Sequence, residues 1–304
     1  MKRGKLLIFL GIILVLSVSL ISAGFFSDFW GKITGYAESG QASVNITIGN
    51  AAPTIPFVQA IIAQDPTIGS TTSITFNYTA TDTDGFGNLD NTTADAYFQR
   101  AGESTRSNTS CDARNASTNS ITYSCTIKMW YFDQNGAWTI NATIKDINSA
   151  YVENSTTTFT YNIMPAMTMS PTSLTWPAVG LTSTNIEANQ NITVNNSGND
   201  IDLNINVTAL NLRGETTTTQ YIYANNLTVK NETQGTCTVT AMVNATSINV
   251  TSAILQRGNN SLNYWNATSG QEQIVFCLKG VPQDISAQSY SSSAYGSWTV
   301  AIIT

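Results

Sequence analysis

Histidine is absent from this 304-residue chain. With it go Ser-His-Asp and Cys-His catalysis and the imidazole-based zinc and copper sites. Charge is scarce, with 13 Lys plus Arg against 19 Asp plus Glu and a net charge of -6. Three of the basic residues, Lys2, Arg3 and Lys5, stand at the extreme N-terminus. The remainder therefore has no basic patch to neutralise phosphates, and nucleic acid is excluded as a partner class. Leu, Glu and Lys thin out after residue 24, which removes the usual material of helices.

What the chain does have is 44 Thr, 31 Asn and 30 Ser, with hydrophobic residues at 42% arriving in alternating runs. Threonine suits strands and asparagine suits turns, so the mixture reads as all-β with many connections. The apolar content is too high for a disordered Ser/Thr-rich stalk, and the length suffices for two domains, each with its own core.

The basic N-terminus precedes an uncharged apolar run from Leu6 to about Phe26. It is long for a signal-peptide core and just long enough to span a bilayer. Three readings stay open: a cleaved secretory signal ending near Ala23 or Gly24, an uncleaved anchor with its basic end in the cytoplasm, and a pilin-like leader. For the last, Arg3-Gly4 resembles a prepilin cleavage site, although Lys5 departs from that pattern. All three export the chain. Residues 1–26 are thus a signal peptide or N-terminal membrane anchor, and 27–43 a linker.

Strand signals begin with Val44, Ile46 and Ile48. Period-2 runs follow at Ile74–Ala80, Ile121–Met129, Trp138–Ile144 and Phe159–Ile163, each pairing an apolar face with a Thr/Asn/Ser face. Asp133-Gln134-Asn135-Gly136 reads as a hairpin turn between the second and third. After Met164-Pro165 the pattern restarts. Ile192-Val194, a turn at Asn196–Asp200, Ile201–Ala209, Tyr221–Tyr223, Cys237–Val243, Ile274–Leu278 and Trp298–Ile302 are expected strands and turns of a second sandwich. The expected fold is all-β: two tandem Ig-like antiparallel β-sandwich domains, 44–164 and 165–304, after an N-terminal hydrophobic helix.

The run Tyr123-Ser124-Cys125, with Trp130 and Asn135-Gly136 after it, resembles strand features of immunoglobulin-like domains, in which a tyrosine two residues before a cysteine forms a corner. Thr79–Gly85 resembles the strand end and turn of Ig-like and cadherin-like modules in secreted prokaryotic proteins. Val194–Asn199 resembles the hairpin turn of such modules in archaeal surface proteins. The resemblance implies a fibronectin- or cadherin-like sandwich protein of the cell surface. The cysteine positions depart from the long-range bridge between sheets of a true Ig domain.

Four cysteines allow three connectivities. The domain boundary makes Cys111–Cys125 and Cys237–Cys277 the economical pairing in an oxidising compartment, with free thiols or a four-cysteine metal site as the alternatives. Sixteen Asn-x-Ser/Thr sequons occur, at Asn45, Asn77, Asn91, Asn108, Asn115, Asn141, Asn154, Asn191, Asn195, Asn206, Asn226, Asn231, Asn244, Asn249, Asn259 and Asn266. That is about twice the chance expectation for this composition. Pleated strands place Asn-x-Thr on outward faces anyway, and an outward Asn is where a glycan fits. None of these sites has Asp or Glu two residues earlier.

Asp82, Asp84, Asn88 and Asp90 form the densest acidic cluster, and Asp-x-Asp-Gly is the kind of loop that could hold calcium. The EF-hand pattern fails there, so a solvated turn competes, and no other cofactor is implied. Asp133, Asp146 and Glu153 show no glycosidase-type pairing, so no enzyme is expected. Trp130, Tyr131 and Trp138 could stack on sugar rings; the competing reading puts Trp138 in the core and Trp130 at a partly exposed edge. The sequence thus points to an exported cell-surface glycoprotein contacting cell-envelope or other surface proteins or itself. A pilin-like or strand-exchanging filament subunit and a secreted carbohydrate-binding module are the alternatives.

Overall fold

Two large hydrophobic cores organise the described residues. In the computed structural model the described residues are 43–234, 237, 239–258 and 270–304. The apolar helix expected over 1–26, nearly all of the 27–43 linker, and the sequons at Asn259 and Asn266 lie outside them. Asn50–Thr304 form one compact unit. Ser43–Gly49 are exposed and carry no strand, contrary to the alternation of Val44, Ile46 and Ile48: a strand needs a neighbour to pair with, and alternation alone supplies none.

The first core is built by β1 (Thr54–Val58), β2 (Thr71–Thr81), β3 (Leu89–Gln99), β4 (Arg106–Asn108), β5 (Asp112–Ala116), β6 (Ser120–Trp130), β7 (Gly136–Asp146) and β8 (Tyr151–Tyr161). They form two four-stranded antiparallel sheets, ordered β1-β2-β6-β5 and β4-β3-β7-β8. Inward residues of β2 and β6 meet those of β3, β7 and β8 in a single cluster. Phe76 and Phe98 touch across the gap at 5.5 Å between ring centroids, and the Tyr78 hydroxyl donates to the Thr143 carbonyl at 3.0 Å. Trp138 is fully buried there. The hydrogen-bonded turn after β6 is Trp130–Asp133, closed by Asp133 N–H to the Trp130 carbonyl at 3.0 Å, and Gly136, at φ 107°, already begins β7. Strands β6 and β7 belong to different sheets, so the expected hairpin is instead a crossing between layers. Tyr123 makes no corner with a backbone carbonyl: its hydroxyl donates to the Asn91 side chain at 2.6 Å.

The second core draws on β9 (Met167–Ser170), β10 (Thr184–Glu187), β11 (Ile192–Asn196), β12 (Leu203–Thr208), β13 (Leu212–Gly214) and β14 (Tyr221–Ile222). It continues with β15 (Leu227–Asn231), β16 (Thr240–Ala241), β17 (Ser247–Leu255), β18 (Gln271–Gly280), β19 (Tyr290–Ser291) and β20 (Thr299–Ile303). The largest sheet runs β16-β15-β18-β11-β9, with β10 also paired to β18. Two three-stranded sheets, β17-β12-β20 and β14-β13-β19, complete this lobe. Every strand ladder is antiparallel. The β-sandwich character and all-β class are therefore as the alternation predicted. The expected strand over Cys237–Val243 shrinks to the two residues of β16.

Both disulfides form, Cys111–Cys125 with Cα atoms 4.6 Å apart and Cys237–Cys277 at 5.5 Å. Among the described residues no cysteine is free. Two disulfides fit an oxidising, extracellular environment. No helix among the described residues is long and apolar enough to cross a membrane.

Candidate functional site

The strand pleat distributes the sequons. Of those described, Asn45, Asn91, Asn115, Asn244 and Asn249 are exposed, and Asn77, Asn108, Asn141, Asn154, Asn191, Asn195, Asn206 and Asn226 are half-buried. Asn231 differs. It is 4% exposed, and its amide nitrogen donates to the Ser252 carbonyl at 3.1 Å and to Glu272 Oε2 at 2.6 Å. Its oxygen accepts from the backbone and hydroxyl of Thr233 at 2.8 and 2.9 Å. That amide is closed to a glycan once the chain is folded.

The loop after β2 does not assemble the four expected cation ligands. Asp82 is 1% exposed. Its Oδ1 accepts from Asp84 N–H at 2.8 Å and its Oδ2 from the Asn88 amide at 3.0 Å. Asp84 turns away to accept from Ala51 N–H at 2.8 Å. Asp90, already on β3, accepts from Thr92 N–H and hydroxyl at 3.0 and 2.6 Å, and the Thr92 hydroxyl above all holds its carboxyl below the usual range. Among the described residues, the only set of three or more acidic or cysteine groups whose ligand atoms converge is Glu187 with Cys237 and Cys277, and those two cysteines are already joined. What the loop builds instead is an amide–carboxylate web. Asn50 donates to Asp146 Oδ2 at 2.6 Å, and Asn88 and Asn148 donate to Asn50 Oδ1 at 3.1 and 2.7 Å. Asp146 also accepts from Asn148 and Ala150 N–H at 2.9 and 2.8 Å. The Asn50 amide is the main reason its carboxyl titrates below the ordinary value. The web ties the start of the compact unit to the β2–β3 and β7–β8 loops.

The aromatic pair offers little to a sugar. Tyr131 is buried, with its ring edge-on to Phe132 at 5.0 Å. Half-buried Trp130 stacks on Phe132 at 5.7 Å, so one of its faces is covered. Tyr131 therefore presents no open ring face for stacking.

The densest polar construction joins the two cores. Residues 196–200, read as a hairpin turn, are all buried and lead from β11 in one sheet to β12 in another. Asn199 donates to the carbonyls of Asp133 at 3.1 Å and Asn162 at 2.9 Å, and accepts from Met164 N–H at 2.7 Å. Gly69 N–H reaches the Ser197 carbonyl at 2.8 Å. Gly198 lies so close to the crossing chain that an added Cβ would fall 1.9 Å from the Met164 carbonyl oxygen. Beside it, Arg257 donates to Glu103 Oε1 at 2.6 Å and to the Phe132 carbonyl at 2.9 Å; Glu103 is 1% exposed on its side chain. Asp133, fully buried, is gripped by Arg106 through both carboxylate oxygens and accepts from Trp130 N–H at 2.7 Å. Burial pushes its carboxyl up and Arg106 draws it back only in part. Such buried pairs hold register and are costly to break singly. The only sequence signal was Asn196-Ser197-Gly198-Asn199-Asp200, whose composition is the same in an exposed turn.

No protein-family model and no curated protein matches this sequence.

Proposed function

We propose that this chain is an exported cell-surface glycoprotein with a structural, adhesive or partner-binding role, and that its first lobe is an immunoglobulin-like domain. The observation that carries the surface reading is the combination of two disulfides with thirteen described sequon asparagines that reach solvent at least in part. Thiol oxidation and glycan attachment both belong outside the cytoplasm. Support for the immunoglobulin-like reading comes from strand order. Lettered A to G with an added C′, the sheets β1-β2-β6-β5 and β4-β3-β7-β8 correspond to A-B-E-D and C′-C-F-G. The chain just after β1 also crosses to the other sheet, where Gln64 makes a parallel bridge to Tyr161 of β8. Against the family pattern, Trp138 lies on the F-equivalent strand and the Cys111–Cys125 bond joins the D-equivalent region to its neighbour E. The second lobe is a two-layer antiparallel domain, with the boundary near residue 164.

Glycopeptide mass spectrometry of the protein from its native host tests this. The expected result is glycan on several of the exposed sites, Asn91, Asn115, Asn244 and Asn249 first, with Asn231 bare. An exported chain with every site bare would overturn the glycoprotein reading.

One observation favours a second reading, a strand-exchanging or pilin-like filament subunit. Val44, Ile46 and Ile48 are 79%, 77% and 87% exposed, an alternating apolar edge that a neighbouring copy could pair with. N-terminal sequencing tests the pilin-like form: a mature start at Lys5 supports assembly through a retained apolar segment, whereas a start near Gly24 or Glu38 excludes it and leaves only strand exchange through residues 44–48.

A further inference from the structure

The small sheet β14-β13-β19 packs Leu212, Ile222 and Tyr290 against the second core. Arg213 stands opposite Tyr221 on one side and Ser291 on the other, and cross-strand partners share a face. These three therefore lie on the outer face. Tyr223, two residues beyond Tyr221 on extended backbone, prolongs the same row. Tyr221 and Tyr223 are 5.8 Å apart between ring centroids, and Tyr221 and Tyr295 6.5 Å. The Tyr295 hydroxyl donates to that of Tyr221 at 3.3 Å, and the Arg213 guanidinium lies 5.9 Å from the Tyr295 centroid. Tyr223 and Tyr295 are 52% and 49% exposed. Among the described residues Arg213 forms no ion pair. Three partly solvated rings and a cation make a surface suited to a stacking partner.

The turn that follows names the partner. Ala224–Asn226 form one 3₁₀ turn, closed by Asn226 N–H to the Tyr223 carbonyl at 2.9 Å. Residues three apart in such a turn stand one above the other, which sets Asn226 beside Tyr223. Asn226 opens the sequon Asn226-Leu227-Thr228. It is half-buried, and its side-chain amide has no hydrogen-bond partner among the described residues. The Asn231 amide, by contrast, is fully engaged. From Asn226 the rings follow in the order Tyr223, Tyr221, Tyr295, with Arg213 against the last. A pyranose fits such a path: its C–H groups stack on an aromatic face, and its oxygens accept from a guanidinium.

We propose that a glycan on Asn226 lies back over this face, its first pyranose on Tyr223 and later sugars towards Tyr221, Tyr295 and Arg213. The inference rests on the glycoprotein reading above and adds to it an intramolecular site for the sugar. Thr228, the third residue of the sequon, is buried, so the glycan is attached before β15 docks into its sheet.

The test is nitration by tetranitromethane, read by peptide mapping, on the full chain from its native host. Two references are Asn226→Gln from that host and the wild-type chain made without N-glycosylation, the second guarding against a variant that misfolds. Glycopeptide mapping should find Asn226 occupied. Tyr223 should then be nitrated at least about fivefold more slowly than in either reference, the reach of one ring contact. The rise in thermal midpoint that the glycan gives over Asn226→Gln should survive Tyr223→Phe and vanish in Tyr223→Ala. Asn226 bare beside an occupied Asn91 or Asn244 overturns the proposal and spares the glycoprotein reading, whereas every site bare overturns both. Equal nitration with and without the glycan also overturns it. So does protection that follows protein concentration instead of the glycan, since the face would then be a contact between copies.

Discussion

At the scale of single residues, the informative side chains are the buried polar ones. Asp146 is held ionised by the Asn50 amide and two backbone N–H groups. Its folded-state pKa lies below its unfolded value, so it contributes stability that is present above the ordinary carboxylate range and is lost as pH falls through the lowered value. Urea titrations between pH 2 and 6 should show the wild type losing stability on the acid side, with a shallower loss in Asp146→Asn. Arg257 is the counterpart at the junction. Arg257→Ala removes the guanidinium that meets buried Glu103, and should cost about 3 kcal/mol or more at neutral pH. Double substitution of Arg257 and Glu103 by apolar residues should recover much of that, because the buried carboxylate is removed with its partner. A double-mutant cycle by denaturant unfolding measures the difference.

Elements show where sequence reading works and where it stops. The strands β2, β6 and β7 were plain in the alternation because their inward positions hold large residues such as Phe76, Tyr123 and Trp138. Strand β3 was not, since two of its inward residues are Ala94 and Ala96, too small to lift the pattern above background. Strand β17 was hidden for another reason. Ser252 stands at φ 63°, and the inward set moves from Val250 to Ala253 and Leu255, so the period slips by one at a bulge. Buried Asn231 binds the carbonyl of that same Ser252, tying β15 to the bulge. The left-handed backbone penalises a branched side chain and favours glycine. Ser252→Val should destabilise by about 1–2 kcal/mol and Ser252→Gly should be neutral or stabilising, readable as shifts in thermal midpoint. The disulfides were legible because the strand pattern restarts after Met164-Pro165, which sets Cys111 and Cys125 apart from Cys237 and Cys277. By loop closure, the bond spanning 40 residues should be worth about 4 kcal/mol and that spanning 14 about 3. Replacing Cys237 and Cys277 by alanine should therefore lower the melting temperature more than replacing Cys111 and Cys125.

For the whole molecule, the junction decides whether the two cores unfold together. It was illegible because turn-forming residues look alike whether a turn faces water or another lobe, and the partners Met164, Asp133 and Asn162 are remote from it in sequence. Gly198→Ala forces a methyl against the Met164 carbonyl and should cost upwards of about 2 kcal/mol. Calorimetry should then split one transition into two, with new protease cleavage near residues 162–166. A single cooperative transition in that variant would mean that the lobes are coupled through other contacts.

The outer face of the β2–β6 pair has one further consequence. It is laid with hydroxyl ladders, Thr75 to Thr126 at 2.8 Å and Thr79 to Thr122 at 3.2 Å. Just four ion pairs occur among the described residues, and the Arg106–Asp133 and Arg257–Glu103 pairs are largely shielded. Ionic screening acts on exposed charge, and this surface presents little. Such a fold should keep nearly the same urea midpoint from dilute buffer to molar sodium chloride, a tolerance of brine that comes from an exterior with few charges and fewer exposed ion pairs.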